Sequence, residues 1–334
     1  MREQIRVSVI MPVDRPGEDA NRAVRAVLDQ KVRAPFELIV VGSASASLPR
    51  DPKLRRVVLE ERNPAIRRNV AALEAKGEIL AFIDDDAFAA PDWIDKALTY
   101  LDAHADVVAI GGPDPPPDDS PRAELLADTL LATRWLGSGI AAHESREGVF
   151  AIRKPWDVAL VNLFVRRAAF EAAEGFDRSI GYIGEDTDLV RRLFDQGKVV
   201  YHHGLRVFHR RRSFPRAYLR QRWRYRVKTG QRLFLRGSAY KSGRVFAFLA
   251  AGAAILALLL FVPGSAASLL LLYAALVTAC AIPSTRLPVS WWPLIPVAFA
   301  MHHATYFAGI VWGIAKGVFG KAPAESPGFR RRGV

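Results

Sequence analysis

The sequence predicts an α/β domain with a mostly parallel sheet and helices on both faces, followed by C-terminal transmembrane helices. Two observations support this prediction. In the N-terminal part of the chain, apolar runs alternate with helical segments, the pattern of a parallel sheet covered on both faces. Further along, residues 245–282 contain no charged residue, and the core of a soluble protein rarely continues so long without a charge.

The strands of this sheet are predicted from apolar runs rich in β-branched residues. They lie at residues 5–13, 36–42, 54–60, 78–83 and 107–112. A later run, residues 158–170, predicts a strand that continues into a helix.

Helical segments separate these strands. They are predicted at residues 18–31, at 64–76 and from Pro91 to about residue 103. Asn63 stands directly before Pro64, which predicts an N-cap at the start of the second helix. Residues 175–197 predict a loop and then a helix that begins near Glu185.

The positive charge of the chain is concentrated in one stretch. Residues 201–244 contain 12 Arg and 2 Lys without an acidic residue, whereas the rest of the chain is nearly neutral. Such a stretch binds phosphates, either of lipid head groups or of nucleic acid. Because an uncharged run follows directly, we expect anionic membrane lipids as the partner and no nucleic acid.

Three apolar segments predict the membrane part. Pro263 and Gly264 divide the uncharged run into a hairpin with spans near 245–262 and 266–282. A third segment, 291–315, contains Pro293 and Pro296, so it either spans the membrane or is re-entrant. The alternative is a set of buried helices in a soluble protein. The N-terminus lacks a signal peptide's apolar region, which predicts a cytoplasmic N-terminal domain.

Three adjacent carboxylates, Asp84, Asp85 and Asp86, follow the strand predicted at 78–83. Ligands of open parallel sheets bind at the carboxyl ends of strands, and carboxylate oxygens suit Mg²⁺ or Mn²⁺. The alternative is a solvated acidic turn. The position after a buried strand favours a metal site.

Two further motifs contain residue types used in catalysis. In "GEDTD", the carboxylates of Glu185 and Asp186 begin a helix, where each acts either as a general base or only as a favourable partner of the helix dipole. In "VFHRRRSF", His209 is either a third metal ligand or a loop residue. The arginines that follow it can neutralise a diphosphate through forked hydrogen bonds.

Taken in order, these motifs resemble the family 2 glycosyltransferases of GT-A fold. The matching segments are "VSVIMPV", "ELIVVG", "RRNVAALEAKGEILAFIDDDAFAAPDWI", "NLFVRRAAFEAAEGFDRSIG", "GEDTDLVRRLFDQG" and "VFHRRR". The resemblance covers about residues 5–240. With its C-terminal spans, the chain is most similar to the membrane-bound branch that includes succinoglycan-type exopolysaccharide enzymes.

The resemblance implies roles for individual residues. The implied donor-binding residues are Pro12, Val13, Arg68, Asn69, Asp84, Asp85 and Arg212. The implied ligands of Mg²⁺ or Mn²⁺ are Asp86 and His209. Asp186 is implied as the catalytic base and Glu185 as its neighbour that positions the acceptor. The implied acceptor side comprises Asp188, Arg222 and Trp223.

The sequence departs from the family pattern at two positions. Gly42 and Ser43 stand where the family usually has an Asp that contacts the nucleotide base, which leaves the base of the donor open. Leu219 replaces the Gln of the Gln-x-x-Arg-Trp motif of processive synthases, of which only Arg222 and Trp223 are present. This second departure argues against a processive enzyme.

The function implied is that of an inverting glycosyltransferase at the cytoplasmic face of a bacterial-type inner membrane, in exopolysaccharide or cell-surface glycan synthesis. It moves a sugar from a nucleotide-diphosphate donor to a polyprenyl-diphosphate-linked saccharide. The alternatives are a polyprenyl-phosphate acceptor, an inactive GT-A-like membrane binding protein, and a nucleic-acid binder that uses the basic aromatic run. The implied organisation is a catalytic domain at 1–205, basic interfacial helices at 206–244, a membrane segment at 245–320 and a basic tail at 321–334.

Overall fold

The computed structural model describes residues 4–13, 17–42, 48–137, 140–180, 183–233, 243–262, 264 and 266–319. These residues belong to two compact units. The first is drawn from Met1–Pro117 and Ile140–Arg210, and the second from Asp118–Gly139 and Arg211–Ala324. Ser43 and the predicted basic tail at 321–334 lie outside the described residues.

The first unit contains the sheet. Its strands, numbered in chain order, are β1 Val7–Val13, β2 Phe36–Gly42, β3 Leu54–Val58, β4 Ile79–Phe82, β5 Ala87–Ala89, β6 Val107–Gly111, β7 Val149–Ala151, β8 Leu163–Arg166, β9 Lys198–His202 and β10 Val207–His209. Eight of them form one sheet in the order β3-β2-β1-β4-β8-β6-β9-β7, and β5 and β10 form a separate pair.

The sheet is mostly parallel, as the sequence predicts. Strands β3, β2, β1 and β4 run parallel to one another, and β6 runs parallel to β9. Strand β8 lies between these two groups and is antiparallel to both of its neighbours. The carboxyl ends of β4 and β6 therefore lie at the same edge of the sheet.

Helices cover both faces of this sheet. Those of the first unit are α1 Glu18–Leu28, α2 Pro64–Glu74, α3 Trp93–Ala103, α5 Ala141–Glu144, α6 Arg167–Ala172 and α7 Glu185–Leu193. Val9 belongs to the hydrophobic cluster of α1 and α3, whereas the next residue, Ile10, belongs to that of α2, α6 and α7. Successive side chains of a strand point to opposite faces, so this division reflects a helical layer on each side.

The predicted elements correspond closely to those observed. The side chain of Asn63 accepts a hydrogen bond from the backbone N–H of Ala65 and caps α2. Strand β8 leads directly into α6, and α7 begins at Glu185, both as predicted. The sequence analysis missed the helices α4, Arg122–Ala132, and α5, and the strands β5, β7, β9 and β10.

The second unit is helical. It contains α4 Arg122–Ala132, α8 Arg216–Arg232, α9 Gly243–Phe261, α10 Ala266–Ala281 and α11 Leu294–Phe319. By length and composition, two stretches can cross a membrane, Ala266–Ser284 and Leu294–Val318. In α9 the described apolar helix is shorter, Val245–Ala254.

The third predicted apolar segment is a single continuous helix, α11. Pro293 precedes it and Pro296 lies in its first turn, where a missing backbone N–H leaves no helical hydrogen bond unmade. Twenty-six residues of helix extend about 39 Å. The prolines therefore mark the start of the helix and do not interrupt it.

Helix α8 packs closely on α11 through glycines. A Cβ built on Gly313 would lie 2.1 Å from the carbonyl oxygen of Val227, and one on Gly230 would lie 2.3 Å from that of Ile310. Small residues at such positions let two helix backbones approach each other. The basic helix α8 thus packs along α11, which is apolar enough to cross a membrane.

Candidate active site

The three adjacent carboxylates follow β4, and a short antiparallel ladder lies beside them. Strand β5 begins directly after Asp86, and β10 pairs with it so that His209 stands opposite Ala87. The backbone N–H of Arg210 donates a hydrogen bond to the carbonyl oxygen of Asp86. This pairing brings His209 to the aspartates across more than a hundred residues of sequence.

Asp84, Asp86 and His209 form a cluster with the chemistry of a metal site. One ligand atom from each residue lies within 4.8 Å of the others. His209 Nε2 is 3.2 Å from Asp86 Oδ1. Two neighbouring ligand atoms about 2.1 Å from one octahedral ion lie about 3 Å apart, so this pair fits a divalent cation. Among the described residues, no other group of three or more such side chains meets the same distance criterion.

A fourth residue, Asp114, orients the histidine. Its carboxylate is buried, with 1% of the side chain exposed, and lies 3.3 Å from His209 Nδ1. A carboxylate at Nδ1 places the proton there and leaves Nε2 free to bind a metal. Asp114 also lies 3.6 Å from Nε2 of His143. The sequence analysis did not identify Asp114, which follows β6 by only a few residues.

The proline-rich segment after β6 positions β10. The carbonyl oxygens of Pro113 and Pro115 accept hydrogen bonds from the backbone N–H groups of Val207 and His209. Because Pro113 and Pro115 have no N–H to donate, the hydrogen bonds at these two residues are all donated by β10. The segment therefore supports the histidine without extending the sheet.

The side chain of Asn162 holds the proline-rich segment in place through hydrogen bonds. Its Nδ2 donates hydrogen bonds to the carbonyl oxygens of Pro113, at 3.0 Å, and Leu205, at 2.7 Å. Its Oδ1 accepts one from Nε1 of Trp93, at 2.8 Å. The side chain is fully buried and fully satisfied, so it joins α3, the end of β6 and the approach to β10. Sequence reasoning missed this residue, because a single Asn in an apolar run gives no sign of its distant partners.

Arg68 connects the aspartates to the start of α7. Its Nη2 donates a hydrogen bond to Asp84 Oδ1 at 2.8 Å, and its Nη1 lies 3.4 Å from Glu185 Oε1. Arg68 and Glu185 are both buried. The two carboxylate motifs of the sequence, which are about a hundred residues apart, are therefore joined by one guanidinium.

The two carboxyl groups that begin α7 are electrostatically unusual. Burial raises the pKa of Glu185 to about 7; the neighbouring Asp186 raises it too, whereas Arg68 lowers it. Burial also raises the pKa of Asp186 above its ordinary value, although its hydrogen bond from the N–H of Thr187 acts in the opposite direction. A pKa near the operating pH suits a general base.

Two other implied residues make structural contacts. Asp188 forms an ion pair with Arg192, with Oδ2 2.7 Å from Nη2. The side-chain amide of Asn69 donates to the carbonyl oxygen of Phe176 and accepts from its N–H. Their implied roles toward acceptor and donor stay predictions.

The end of β1 forms another part of this sheet edge. Pro12 and Val13 pair with Val41 and Gly42, and a Cβ on Gly42 would lie 2.0 Å from the carbonyl oxygen of Val13. An Asp therefore does not fit at residue 42 without moving the strand. Asp85, between the two cluster aspartates, is partly exposed.

The remaining implied residues, Arg212, Arg222 and Trp223, belong to the second unit. Arg212 and Trp223 are exposed, whereas Arg222 is buried. Arg211, which precedes Arg212, forms a buried ion pair with Asp128 at 2.9 Å, so its charge is already neutralised within the unit.

Two family models match the sequence. The model described as "Glycosyl transferase family 2" matches residues 8–133. The model described as "Glycosyl transferase family group 2" matches residues 79–311, which is more than half of the chain.

One curated relative is the glucosyl-dolichyl phosphate glucuronosyltransferase of Haloferax volcanii. It is 26% identical over 159 residues, which are 45% of this chain and 49% of the relative. The chain thus spans about half the length of the curated relative that it matches.

Two solved structures are similar to the chain. The mannosyltransferase PcManGT of Pyrobaculum calidifontis, in complex with GDP-Man and Mn²⁺, superimposes with a TM-score of 0.60 at 21% identity, over 96% of this chain and 89% of its own. TarS of S. aureus, residues 1–349, gives a TM-score of 0.48 at 14% identity, over 92% and 90% of the two chains. The likeness to the mannosyltransferase shows the GT-A fold, whereas TarS is a more distant match.

Proposed function

Because the chain belongs to the family 2 glycosyltransferases, we propose that it is an inverting, metal-dependent enzyme that moves a sugar from a nucleotide-diphosphate donor to a lipid-linked acceptor. The observation that supports this most is the cluster of Asp84, Asp86 and His209 within 4.8 Å, joined through Arg68 to Glu185 at the start of α7. The candidate cation site and the first carboxylate of α7, which is the neighbour of Asp186, are thus joined in one connected set of side chains.

The residues that would hold the metal are Asp86 and His209, with Asp84 toward the donor. Their oxygen and nitrogen donors fit Mn²⁺, and Mg²⁺ is the alternative. Such an ion neutralises negative charge on a departing diphosphate. The structure of the mannosyltransferase PcManGT is a complex with GDP-Man and Mn²⁺, which supports this choice. Pro12, Val13, Asn69, Asp85 and Arg212 are proposed to complete the donor side.

The base is Asp186. In the proposed reaction, the acceptor oxygen forms a bond to the anomeric carbon while the bond from that carbon to the diphosphate oxygen breaks. The leaving diphosphate takes the bonding electrons, and Asp186 takes the acceptor's hydroxyl proton. Glu185, held by Arg68, positions the acceptor, and no protein nucleophile is required. Direct displacement of this kind inverts the anomeric centre.

A lipid-linked acceptor is supported by the curated relative, a glucosyl-dolichyl phosphate glucuronosyltransferase. It is also supported by two helices that are long and apolar enough to cross a membrane. We propose a polyprenyl-diphosphate-linked saccharide as acceptor, a multi-pass chain with its catalytic domain in the cytoplasm, and a role in exopolysaccharide or cell-surface glycan synthesis. Arg222, Trp223 and Asp188 are proposed for the acceptor side.

The test is a screen of donors and acceptors with the full chain in lipid. GDP-, UDP- and dTDP-sugars are offered with and without Mn²⁺, against polyprenyl phosphate and polyprenyl-diphosphate-linked saccharides. We expect Mn²⁺-dependent transfer to a glycosylated lipid. Transfer to polyprenyl phosphate alone would favour the simpler acceptor, and absence of transfer from every donor would contradict the proposal.

A further inference from the structure

Among its described residues, the second unit contains a buried cation with no acidic partner. This cation is Arg222, on α8, which is 6% exposed and whose Nε has no hydrogen-bond partner in the described part of the chain. Its Nη2 donates to the neutral side chain of Gln221 at 2.8 Å. The guanidinium carbon lies 4.7 Å from the ring centroid of Tyr225 and 5.6 Å from that of Tyr218. Its contacts are thus aromatic or neutral, and none is a carboxylate.

The chain offers little that could neutralise this charge. Residues 196–324 contain no Asp or Glu. The unit has four acidic residues, Asp118, Asp119, Glu124 and Asp128. Asp128 is already paired with Arg211, and Asp118 with Arg286. A buried charge costs free energy unless it is paired, and burial accordingly lowers the pKa of Arg222. A site that keeps such a cation is prepared for an anion from outside the chain.

The surroundings of Arg222 indicate a membrane lipid as the source of that anion. On either side of it along α8, Tyr218 and Arg226 bond to α11, with Tyr218 2.8 Å from His302 and Arg226 3.0 Å from Tyr306. Nε of Arg226 also has no hydrogen-bond partner among the residues that the structure describes. The aromatic cage of Arg222 is therefore continuous with a helix that is apolar enough to cross a membrane.

Other arginines of α8 differ from Arg222 in their exposure to solvent. Arg216, Arg220 and Arg224 are exposed, as expected for general attraction to anionic head groups. A guanidinium held between two rings presents its donors in a fixed geometry, which suits one phosphate. Because a buried arginine and exposed arginines occur on the same helix, the effects of replacing each can be compared directly.

We infer that Arg222, within its cage of Tyr218 and Tyr225, binds the phosphate of the lipid-linked acceptor. This inference rests on the proposed function, since it names the group by which an acceptor lipid is recognised. It assigns to α8 a specific lipid site in addition to its general attraction to anionic membranes. The phosphate accepts hydrogen bonds from the guanidinium and supplies the missing negative charge.

The experiment uses the full chain in phosphatidylcholine nanodiscs and radiolabelled polyprenyl monophosphate as the probe. We compare the wild type with Arg222→Met, with Arg222→Lys and with Arg224→Met, an exposed residue on the same helix whose replacement removes the same charge. Loss of charge-assisted hydrogen bonds should weaken binding by about 10- to 100-fold in Arg222→Met. Arg222→Lys should retain part of the affinity, and Arg224→Met should retain all of it.

Thermal unfolding without the probe separates recognition from a structural role. Because Arg222→Met removes an uncompensated buried charge, the lipid-free variant should be at least as stable as the wild type. The probe should raise the melting temperature of the wild type and leave that of Arg222→Met unchanged. A destabilised or unfolded Arg222→Met protein would overturn the inference, as would equal binding of the probe by both proteins.

Two further arms identify the source of the phosphate. Phosphatidylglycerol at the same mole fraction, and UDP in solution, replace the probe. Equal stabilisation by phosphatidylglycerol, or loss of UDP binding in Arg222→Met, would overturn the assignment to the acceptor lipid. The proposed function and this inference can fail separately. If no sugar is transferred but binding of the probe still depends on Arg222, only the proposed function is contradicted. If sugar is transferred but Arg222→Met binds the probe as the wild type does, only the inference is contradicted.

Discussion

The carboxylate of Asp114 lies 3.3 Å from Nδ1 of His209, and Nε2 of the same ring faces Asp86 at 3.2 Å. The three side chains therefore form a line in which the buried carboxylate fixes the ring and the ring presents its other nitrogen to the candidate metal position. A carboxylate that hydrogen-bonds to a ligand histidine orients the ring and raises its basicity without contacting the ion.

Asp114→Asn should therefore weaken Mn²⁺ binding although Asp114 is not itself a ligand. The amide can still accept a hydrogen bond but loses the negative charge that stabilises the Nδ1–H tautomer. The expected loss is about 10-fold or more in affinity, measured by titrating Mn²⁺ and following the free ion by electron paramagnetic resonance. Asp106→Asn, at an exposed ion pair with Lys198, is the control. Equal affinities in the two variants would remove Asp114 from the site.

Asp86→Ala should abolish metal-dependent donor binding while the fold is retained. Its carboxylate is one of the three ligand groups of the cluster, and an alanine supplies no oxygen. Calorimetric titration with nucleotide sugars, with and without Mn²⁺, measures the effect. The control is Asp92→Ala, which removes a half-exposed carboxylate paired with Lys96. Mn²⁺-dependent binding that survives in Asp86→Ala would exclude Asp86 as a ligand.

Asp186→Asn should keep donor affinity and lose transfer. The amide preserves the shape and can still accept the hydrogen bond from the N–H of Thr187, but it cannot take a proton. Loss of general-base assistance costs about 10²- to 10⁴-fold in rate. Asp195→Asn, at an exposed position just after α7, is the control and should retain transfer. Full transfer activity in Asp186→Asn would show that the base has been assigned to the wrong residue.

Glu185→Gln should flatten the dependence of stability on pH. The folded protein holds the pKa of Glu185 at about 7, above the ordinary value of 4.5. The folded state therefore binds the proton more tightly than the unfolded state, and the free energy of unfolding falls as the pH rises from about 4.5 through about 7. Glutamine removes this titration.

Melting temperatures between pH 5 and 8 measure that dependence. The wild type should lose stability across the range, and Glu185→Gln should lose less. Glu60→Gln, at an exposed position, should behave as the wild type does. Parallel pH profiles of the wild type and Glu185→Gln would show that the buried carboxyl group is not the source.

Gly313→Ala should destabilise the packing of α8 on α11. The added methyl group would lie 2.1 Å from the carbonyl oxygen of Val227, so the helices must separate. Overpacking of this kind costs about 1–3 kcal/mol, measured as a lower melting temperature in detergent. Gly243→Ala is the control, because a Cβ on Gly243 meets nothing within 4 Å. An unchanged melting temperature in Gly313→Ala would show that this approach can relax without loss.

Local periodicity was sufficient to predict most of the sheet and its helices. Strands such as β1 and β2, with seven residues each, contain enough apolar positions to be recognised. The strands β5, β7 and β10 have three residues each, too few to show a period. They form because a partner is available, β10 for β5 and β9 for β7.

The sequence by itself determined the fold class, the aspartates at the end of β4, the carboxylates at the start of α7 and the apolar helices, because each depends on residues close together in the chain. Only the tertiary structure decided which distant groups meet. Asp114 reaches His209 across 95 residues, and Arg68 reaches Glu185 across 117. Arg222 is buried with no acidic partner within the described ranges of the chain. Contacts at such separations are set by the packing of whole elements, which leaves no periodic signal in the residues that make them.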